Sequence, residues 1–281
     1  MRARVYLGGG AAIAVVVALV VANRLWPGPD AIKVPVPEVS IPAGTFTLQA
    51  PGEFLDKGLP VPAPRIQVRI PAGLGMMTHL VSQAEYAACV HDGACKPLDR
   101  GFRDPAAPDH PAIGISWHDA TAYAQWLSRQ TGQNWRLPDY AEWARAAAER
   151  YHEADPLPAD PDDPAVRWQA EYARQIERRG LRRNPAQPLG YFGENSLGFT
   201  DMAGNVWEWP NTCFTSHRAG APILSPSADC GVRILAGAHR AAMPDFVRDP
   251  RLGTCLAGPP PANLGFRLVR AATEDITSRV K

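Results

Sequence analysis

The chain has 281 residues, of which 46% are hydrophobic and 20% charged, and a net charge of +1. This length allows one large domain or two ordinary ones, each with a buried core. The near-neutral charge, without a long basic run, excludes a nucleic-acid-binding surface. The 29 prolines and 24 glycines exceed average usage and predict a loop-rich fold rather than a helical bundle.

The first segment predicts the cellular compartment. Arg2 and Arg4 precede an apolar run from Val5 to Ala22, which at about 1.5 Å per residue is long enough to cross a bilayer. Positive residues stay in the cytoplasm, so the rest of the chain would be exported. A cleaved signal peptide or a buried helix is the alternative. We therefore expect a cytoplasmic head and transmembrane anchor over 1–24, in the inner membrane, with the C-terminal domain in the periplasm.

The segment that follows is predicted to be a linker. Residues 25–38 are rich in proline, which makes a stiff stalk between the membrane and a folded domain. We see neither a fixed-period repeat nor a second linker, so a single domain is expected over 39–272, followed by a C-terminal tail over 273–281.

Two stretches near the start of this domain predict β-strands. Residues 39–48 contain two short strand pieces around a turn. Ile66 to Ile70 alternates apolar and polar residues, as a half-buried strand does. From Pro188 to the end, the chain predicts short strands and turns.

Three helices are predicted from their first residues. Each start places an acidic residue three positions after a serine or aspartate, a pattern that satisfies the free amides of a first helical turn. The pairs are Ser82 with Glu85, Ser116 with Asp119, and Asp139 with Glu142. Gly132 is placed to end the second helix. After an acidic loop over 155–164, a further helix is predicted to carry Trp168, Tyr172 and Ile176 on one face.

The five cysteines are consistent with export. Cys89 and Cys95 flank one short polar loop and Cys213 and Cys230 another, which in an oxidising compartment predicts two disulfides. Metal binding is the alternative, although neither pair has CxxC spacing and no HxH or HExxH grouping lies nearby. Cys255 is left over as a reactive thiol, an intermolecular link or a small buried group.

The most recognisable motif covers residues 195–209, NSLGFTDMAGNVWEW. It resembles the N-x-x-G-L-x-D-M-x-G-N-V-W-E-W signature of the formylglycine-generating enzyme, or sulfatase-modifying factor, family. Further matches follow the family's order: Ile41–Phe46 as its opening strand, 115–138 as its central helix and turn, and Asn263–Leu268 as its closing strand. The resemblance implies a loop-rich α+β fold related to C-type lectins, here preceded by the predicted N-terminal transmembrane helix.

The resemblance also implies a calcium site. In family members, the first and eighth residues of the signature loop and two carbonyl groups between them hold calcium. The matching positions are Asp201 and Glu208, with the carbonyl groups of Gly204 and Val206. Oxygen ligands of this kind suit a hard cation. The alternative is a hydrogen-bonded loop that needs no metal.

The family's activity depends on the next stretch. Active members oxidise a cysteine of a client sulfatase, using two of their own cysteines to bind copper(I), which prefers soft thiolates. Here residues 231–254 contain no cysteine, and Leu235–Ala238 replaces the family's R-G-G-S element. Copper is therefore not expected.

Three residues of this stretch are candidates for a cleft: His239, Arg248 and Arg251. The arginines would bind an anionic ligand or partner, or else form surface salt bridges. His239 would be scaffold or, with Met243 and Asp245, part of a different metal site.

These observations leave two functions open. The first is an accessory, binding or maturation protein that recognises a periplasmic or membrane protein partner, in effect a pseudoenzyme. The alternative is an enzyme of altered oxidative chemistry acting on a protein or a small molecule.

Overall fold

The structure is a computed structural model that describes residues 36–153, 163, 166, 185–221, 223, 230–250 and 263–270. The predicted anchor, most of the predicted linker, the helix predicted around Trp168, Cys255 and the predicted tail lie outside the described residues. Within the described ranges, no helix combines the length and apolarity that a membrane crossing requires. The membrane anchor therefore stays a prediction.

The strands are short, as the glycine and proline content predicts. In chain order they are β1 (Glu38–Ser40), β2 (Gly44–Gln49), β3 (Glu53–Asp56), β4 (Leu59–Val61), β5 (Arg65–Ile70), β6 (Gly75–Met77), β7 (Trp135–Arg136), β8 (Trp207–Glu208), β9 (Ser216–Arg218), β10 (Val232–Leu235), β11 (Ala241–Pro244), β12 (Leu264–Gly265) and β13 (Val269–Arg270). The strands predicted in 39–48 and 66–70 are confirmed as β1, β2 and β5.

These strands pair into small separate sheets. The largest has the order β1-β6-β13-β7, and β2 pairs with β5 along its whole length. A second group has the order β4-β3-β9, and β10 pairs with β11 as an antiparallel hairpin. The parallel pair β8–β12 joins the signature segment to the closing segment of the domain. Because β13 lies between β6 and β7, the end of the domain closes the sheet that its first strand begins.

All three predicted helices are present. They are α1 (Gln83–His91), α2 (Trp117–Thr131) and α3 (Tyr140–Ala147), and a 3-10 turn over Ala148–Arg150 follows the last. The backbone N–H of Ser82 donates to Glu85 at 2.7 Å, and that of Ser116 donates to Asp119 at 3.1 Å. Gly132 ends α2 at φ 67°, a left-handed conformation that glycine adopts without strain.

The third helix start is tied to the sheet as well as to its own first turn. Glu142 accepts the backbone N–H of Asp139 at 2.8 Å. Both of its carboxylate oxygens also accept hydrogen bonds from the Arg136 guanidinium on β7, each at 2.7 Å. The helix therefore begins at a residue that is also ion-paired to the neighbouring strand.

The core forms two clusters of buried side chains. One lies beside α2, whose Ala120, Ala124 and Leu127 face inward. The other lies beside α3, which buries Trp143 and Ala147. The signature tryptophans Trp207 and Trp209 belong to the first cluster. Large aromatic side chains therefore hold together a domain that has little regular secondary structure.

Both predicted disulfides are confirmed. Cys89 is bonded to Cys95 at the end of α1, and Cys213 is bonded to Cys230. Among the described residues, no group of three or more histidine, cysteine or acidic side chains could hold a metal ion. The metal-binding alternative for these four cysteines is thus wrong.

Candidate functional site

The signature segment contains a buried ion pair. The parallel pairing of β8 with β12 sets Glu208 opposite Gly265, two residues before Arg267. Arg267 is 0% exposed and donates from Nε and Nη2 to the two carboxylate oxygens of Glu208, at 2.7 and 3.1 Å. Arg267 also donates from Nη1 to the carbonyl oxygen of Thr78 and from Nη2 to that of Thr200, both at 3.0 Å. This is a desolvated, charge-assisted pair in which the guanidinium makes four hydrogen bonds.

Asp201 organises the preceding turn. Its φ of 59° lies in the left-handed region, which aspartate tolerates better than most residues. Its two carboxylate oxygens accept the backbone N–H groups of Gly190 and Phe192, at 2.6 and 2.8 Å. Asp201 is buried, so its carboxylate fixes the turn over 190–193 from the inside.

The residues expected to bind calcium thus already have protein partners. The charge of Glu208 is balanced by Arg267, and the carboxylate of Asp201 is occupied by two amides. Both groups have partners without a metal ion, which is what the hydrogen-bonded alternative requires. Calcium binding stays a prediction, and the structure identifies Arg267 as the cation with which calcium would compete for Glu208.

A chelator experiment separates the two interpretations. If calcium binds the signature loop, excess chelator lowers the melting temperature of the protein, and Asp201→Ala or Glu208→Ala removes the difference between chelated and calcium-loaded samples. If the hydrogen bonds suffice, differential scanning fluorimetry shows the same melting temperature in both buffers. A shift that persists in both variants would contradict a site made of these residues.

The described part of the stretch 231–254 contains the β10–β11 hairpin. In the β10–β11 register, Ile234 lies opposite Ala242 and Leu235 opposite Ala241. At Gly237 a Cβ atom would lie 2.8 Å from Trp207 Cδ1, so only glycine lets the indole lie this close to the backbone. The indole Nε1 donates to the carbonyl oxygen of His239 at 3.1 Å. Aliphatic side chains therefore occupy these two paired positions, and the Trp207 indole packs against the backbone of the turn.

Arg248, a predicted cleft residue, is part of an ion-pair network. Its Nε and Nη2 donate to the carboxylate oxygens of Asp119, both at 2.7 Å. Its Nη1 donates to the carbonyl oxygen of Pro97 at 3.1 Å and to Asp99 at 3.2 Å. Burial would raise the pKa of Asp119, but hydrogen bonds from Arg248 and Ser116 outweigh burial and hold it below its usual value. The network ties the start of α2 to the loop after α1.

His239 and Asp245 have their own contacts. His239 packs its ring edge-on against Trp207 at a centroid distance of 5.1 Å. Asp245 faces His118, with 3.3 Å between the carboxylate and Nε2. Arg251 lies outside the described residues. The cleft of His239, Arg248 and Arg251 therefore stays a prediction.

A small apolar pocket, which the sequence did not predict, lies along α1. Its volume is about 320 Å³, at the small end for ligand pockets. It is lined by Gln83, Ala84, Tyr86, Ala87, Val90, Pro97, Leu98, Arg103, Asp104, Pro105 and Pro108. Proline-rich loop residues form one wall, and their sequence carries no periodic pattern that would place them against a helix.

The pocket walls are held by hydrogen bonds and a disulfide. Tyr86 donates its hydroxyl to the carbonyl oxygen of Lys96 at 3.0 Å, and the backbone N–H of Asp104 donates to Gln83 at 2.8 Å. The Cys89–Cys95 disulfide closes the intervening turn. These contacts connect α1 to the loop that forms the other wall of the pocket.

Several known proteins are similar to this chain in sequence and in fold. The chain is 30% identical to the formylglycine-generating enzyme of Streptomyces coelicolor over 182 residues, which are 61% of this chain and 55% of that protein. It is 26% identical to an inactive C-alpha-formylglycine-generating enzyme 2 of Bos taurus, over 63% of this chain and 58% of that protein. The chain thus spans about half the length of the curated relatives that it matches.

A solved structure supports the fold. PvdO from Pseudomonas aeruginosa superposes with a TM-score of 0.55 at 24% identity, covering 83% of this chain and 93% of that one. The sequence model of the sulfatase-modifying factor enzyme 1-like domain matches residues 28–272. The match takes in the opening strand, the signature loop with its Glu208–Arg267 pair and the closing strand. The chain therefore belongs to the sulfatase-modifying factor, or formylglycine-generating enzyme, family.

Proposed function

We propose that this chain is a membrane-anchored periplasmic member of its family that lacks cysteine-oxidase activity and acts as an accessory or binding protein. One observation carries the proposal. Four of the five cysteines form two disulfides, and none lies in the hairpin stretch 231–250. Only Cys255 is left, and one thiolate cannot supply the pair that copper(I) chemistry requires.

Two further facts support this proposal. A relative in Bos taurus is named as inactive, so loss of the activity has a precedent within the family. The apolar run from Val5 to Ala22, behind two arginines, supports export and anchoring by the hydropathy and charge rules for membrane segments.

A peptide assay tests the loss of activity. The full chain, loaded with copper(I) and supplied with oxygen and a thiol reductant, is incubated with a Cys-x-Pro-x-Arg peptide, and the product is analysed by mass spectrometry. We expect no conversion of the cysteine to the aldehyde, whereas the Streptomyces coelicolor enzyme serves as the positive control. Aldehyde formation by this chain would overturn the proposal, and a different oxidised product would favour the altered-enzyme alternative.

We propose that the partner protein binds in the pocket along α1. Its walls are almost wholly apolar, and its size fits one large apolar side chain presented by a segment of a partner protein. Arg103 stands at the exposed rim, where it can meet a carboxylate or backbone carbonyl of the same segment. The proposed occupant is therefore a peptide segment with a single apolar anchor.

Crosslinking in the native membrane tests this placement. A photoreactive residue at Arg103 should give a discrete adduct, and Ala87→Trp should abolish that adduct by filling the pocket. Ala88→Trp is the matched control, because Ala88 is also exposed on the same helix but does not line the pocket. An adduct that survives Ala87→Trp, or that both variants remove equally, would contradict a pocket-bound partner.

A further inference from the structure

The Cys213–Cys230 disulfide lies beside a buried cation. Arg233 Nη1 is 3.8 Å from Cys213 Sγ and 3.2 Å from the carbonyl oxygen of Asn211. The guanidinium also stacks over the Trp117 ring at 3.9 Å from its centroid. Arg233 is itself buried, so its charge acts on the sulfur with little screening by water.

The two sulfurs of this disulfide differ in accessibility. Cys213 is 3% exposed, whereas Cys230 is partly exposed. Cys213 is also held by the backbone, since it forms a β-bridge with Arg233 and the next residue, Phe214, donates its N–H to Val232 at 3.0 Å. An external thiolate therefore reaches the sulfur of Cys230 more readily, and Cys213 stays in place beside Arg233 when the bond opens.

We propose that Cys213–Cys230 is an exchange-active disulfide whose reaction partner is an external thiol. The thiolate attacks Cys230 Sγ, a new sulfur–sulfur bond forms there, and the Cys213–Cys230 bond breaks. The electron pair remains on Cys213 Sγ, where the Arg233 guanidinium stabilises the thiolate. A second thiolate then resolves the mixed disulfide, which releases Cys230 as a thiolate and yields the oxidised external disulfide.

The expected reactivity of this disulfide depends on its leaving group, the Cys213 thiolate. Disulfide exchange is faster when the departing sulfur is a stabilised thiolate, and a neighbouring arginine stabilises a thiolate. The other disulfide is an internal comparison, because both Cys89 and Cys95 are buried. The arrangement therefore predicts selectivity between the disulfides and between the two sulfurs of the reactive one.

Timed reduction by glutathione tests the proposal. The full chain, carrying Cys255→Ser to remove the remaining thiol, is treated with reduced glutathione, quenched with acid, alkylated and mapped by mass spectrometry. Cys213 and Cys230 should become alkylated at least about tenfold faster than Cys89 and Cys95. At early times, the glutathione adduct should be found on Cys230. Equal reduction of both disulfides, or an adduct mainly on Cys213, would overturn the proposal.

Two variants isolate the contribution of Arg233. An adjacent arginine lowers the pKa of an acidic group by about 1–3. If the exchange rate depends on the pKa of the leaving thiol as strongly as it does on that of the attacking thiol, Arg233→Gln should slow reduction about 3- to 30-fold. Arg233→Lys keeps the charge and should keep most of the rate. If Arg233→Gln fails to fold, the adduct position in the chain with native Arg233 still decides the proposal. Equal rates in a folded Arg233→Gln protein would exclude the role of the guanidinium.

Discussion

Arg267→Met is expected to lower the free energy of unfolding by about 3–5 kcal/mol, because it leaves the buried carboxylate of Glu208 without its counter-charge. For a domain of this size, that loss corresponds to a fall in melting temperature of about 6–20 °C. Thermal unfolding of the full chain, followed by circular dichroism, measures it. The backbone carbonyl group of Thr200 also loses the Arg267 donor, which adds to the effect, whereas that of Thr78 keeps the N–H of Thr200.

Arg270→Met is the matched control. Arg270 pairs with Glu38 at 2.6 Å, but the two side chains are 26% and 31% exposed, so the loss should stay below about 1 kcal/mol. The double variant Arg267→Met with Glu208→Leu should recover much of the stability, since neither charge is then buried. Equal losses in the two single variants would show that burial does not dominate the energy of the Glu208–Arg267 pair.

The second largest effect is expected at the start of α2. Asp119→Asn should cost about 2–3 kcal/mol, because it removes the charge that Arg248 contacts with two donors. Asp99→Asn is the control, since Asp99 meets the same guanidinium with a side chain that is 61% exposed. The control should cost under about 0.5 kcal/mol. Urea unfolding of both variants at neutral pH gives the comparison.

The same pair predicts how stability depends on pH. Because the folded-state pKa of Asp119 lies below its unfolded-state value, the contribution of the pair is complete above about pH 4 and is lost as the pH falls through the folded-state pKa. The stability difference between the native chain and Asp119→Asn should therefore shrink steadily below about pH 4. A difference that stays constant down to pH 2 would contradict the assignment.

Local signals in the sequence predicted much of the fold. The starts at Ser82, Ser116 and Asp139 each depend on atoms within one helical turn, so single-sequence reasoning reaches them. The same holds for Gly132 at the end of α2 and for the alternation in β5. The disulfides were predictable because each pair is close in sequence.

Contacts between distant residues were not predictable. The motif containing Glu208 and the motif containing Arg267 were both recognised, yet nothing in either one shows that they form an ion pair across β8 and β12. The sequence predicts a helix start at Asp119 and a cleft residue at Arg248, but their pairing across 129 positions depends on the tertiary fold. The signature loop therefore reveals the family, while its internal charge balance follows only from the structure.

The acidic residues of two helix starts have a consequence for the cooperativity of folding. Asp119 binds both Ser116 and Arg248, and Glu142 binds both Asp139 and Arg136, whereas Glu85 bonds within its own helix start. The first turns of α2 and α3 therefore cannot fray without breaking an ion pair to another element. We expect their amide protons to exchange with solvent only when the core also unfolds. The first turn of α1, beside the apolar pocket, has no such ion pair at Glu85, but the backbone N–H groups of Gln83 and Ala84 donate to the carbonyl oxygens of His110 and Pro108. Opening this turn therefore breaks main-chain hydrogen bonds to the loop that forms the other wall of the pocket, so we expect the helix start and that loop to open together in hydrogen exchange.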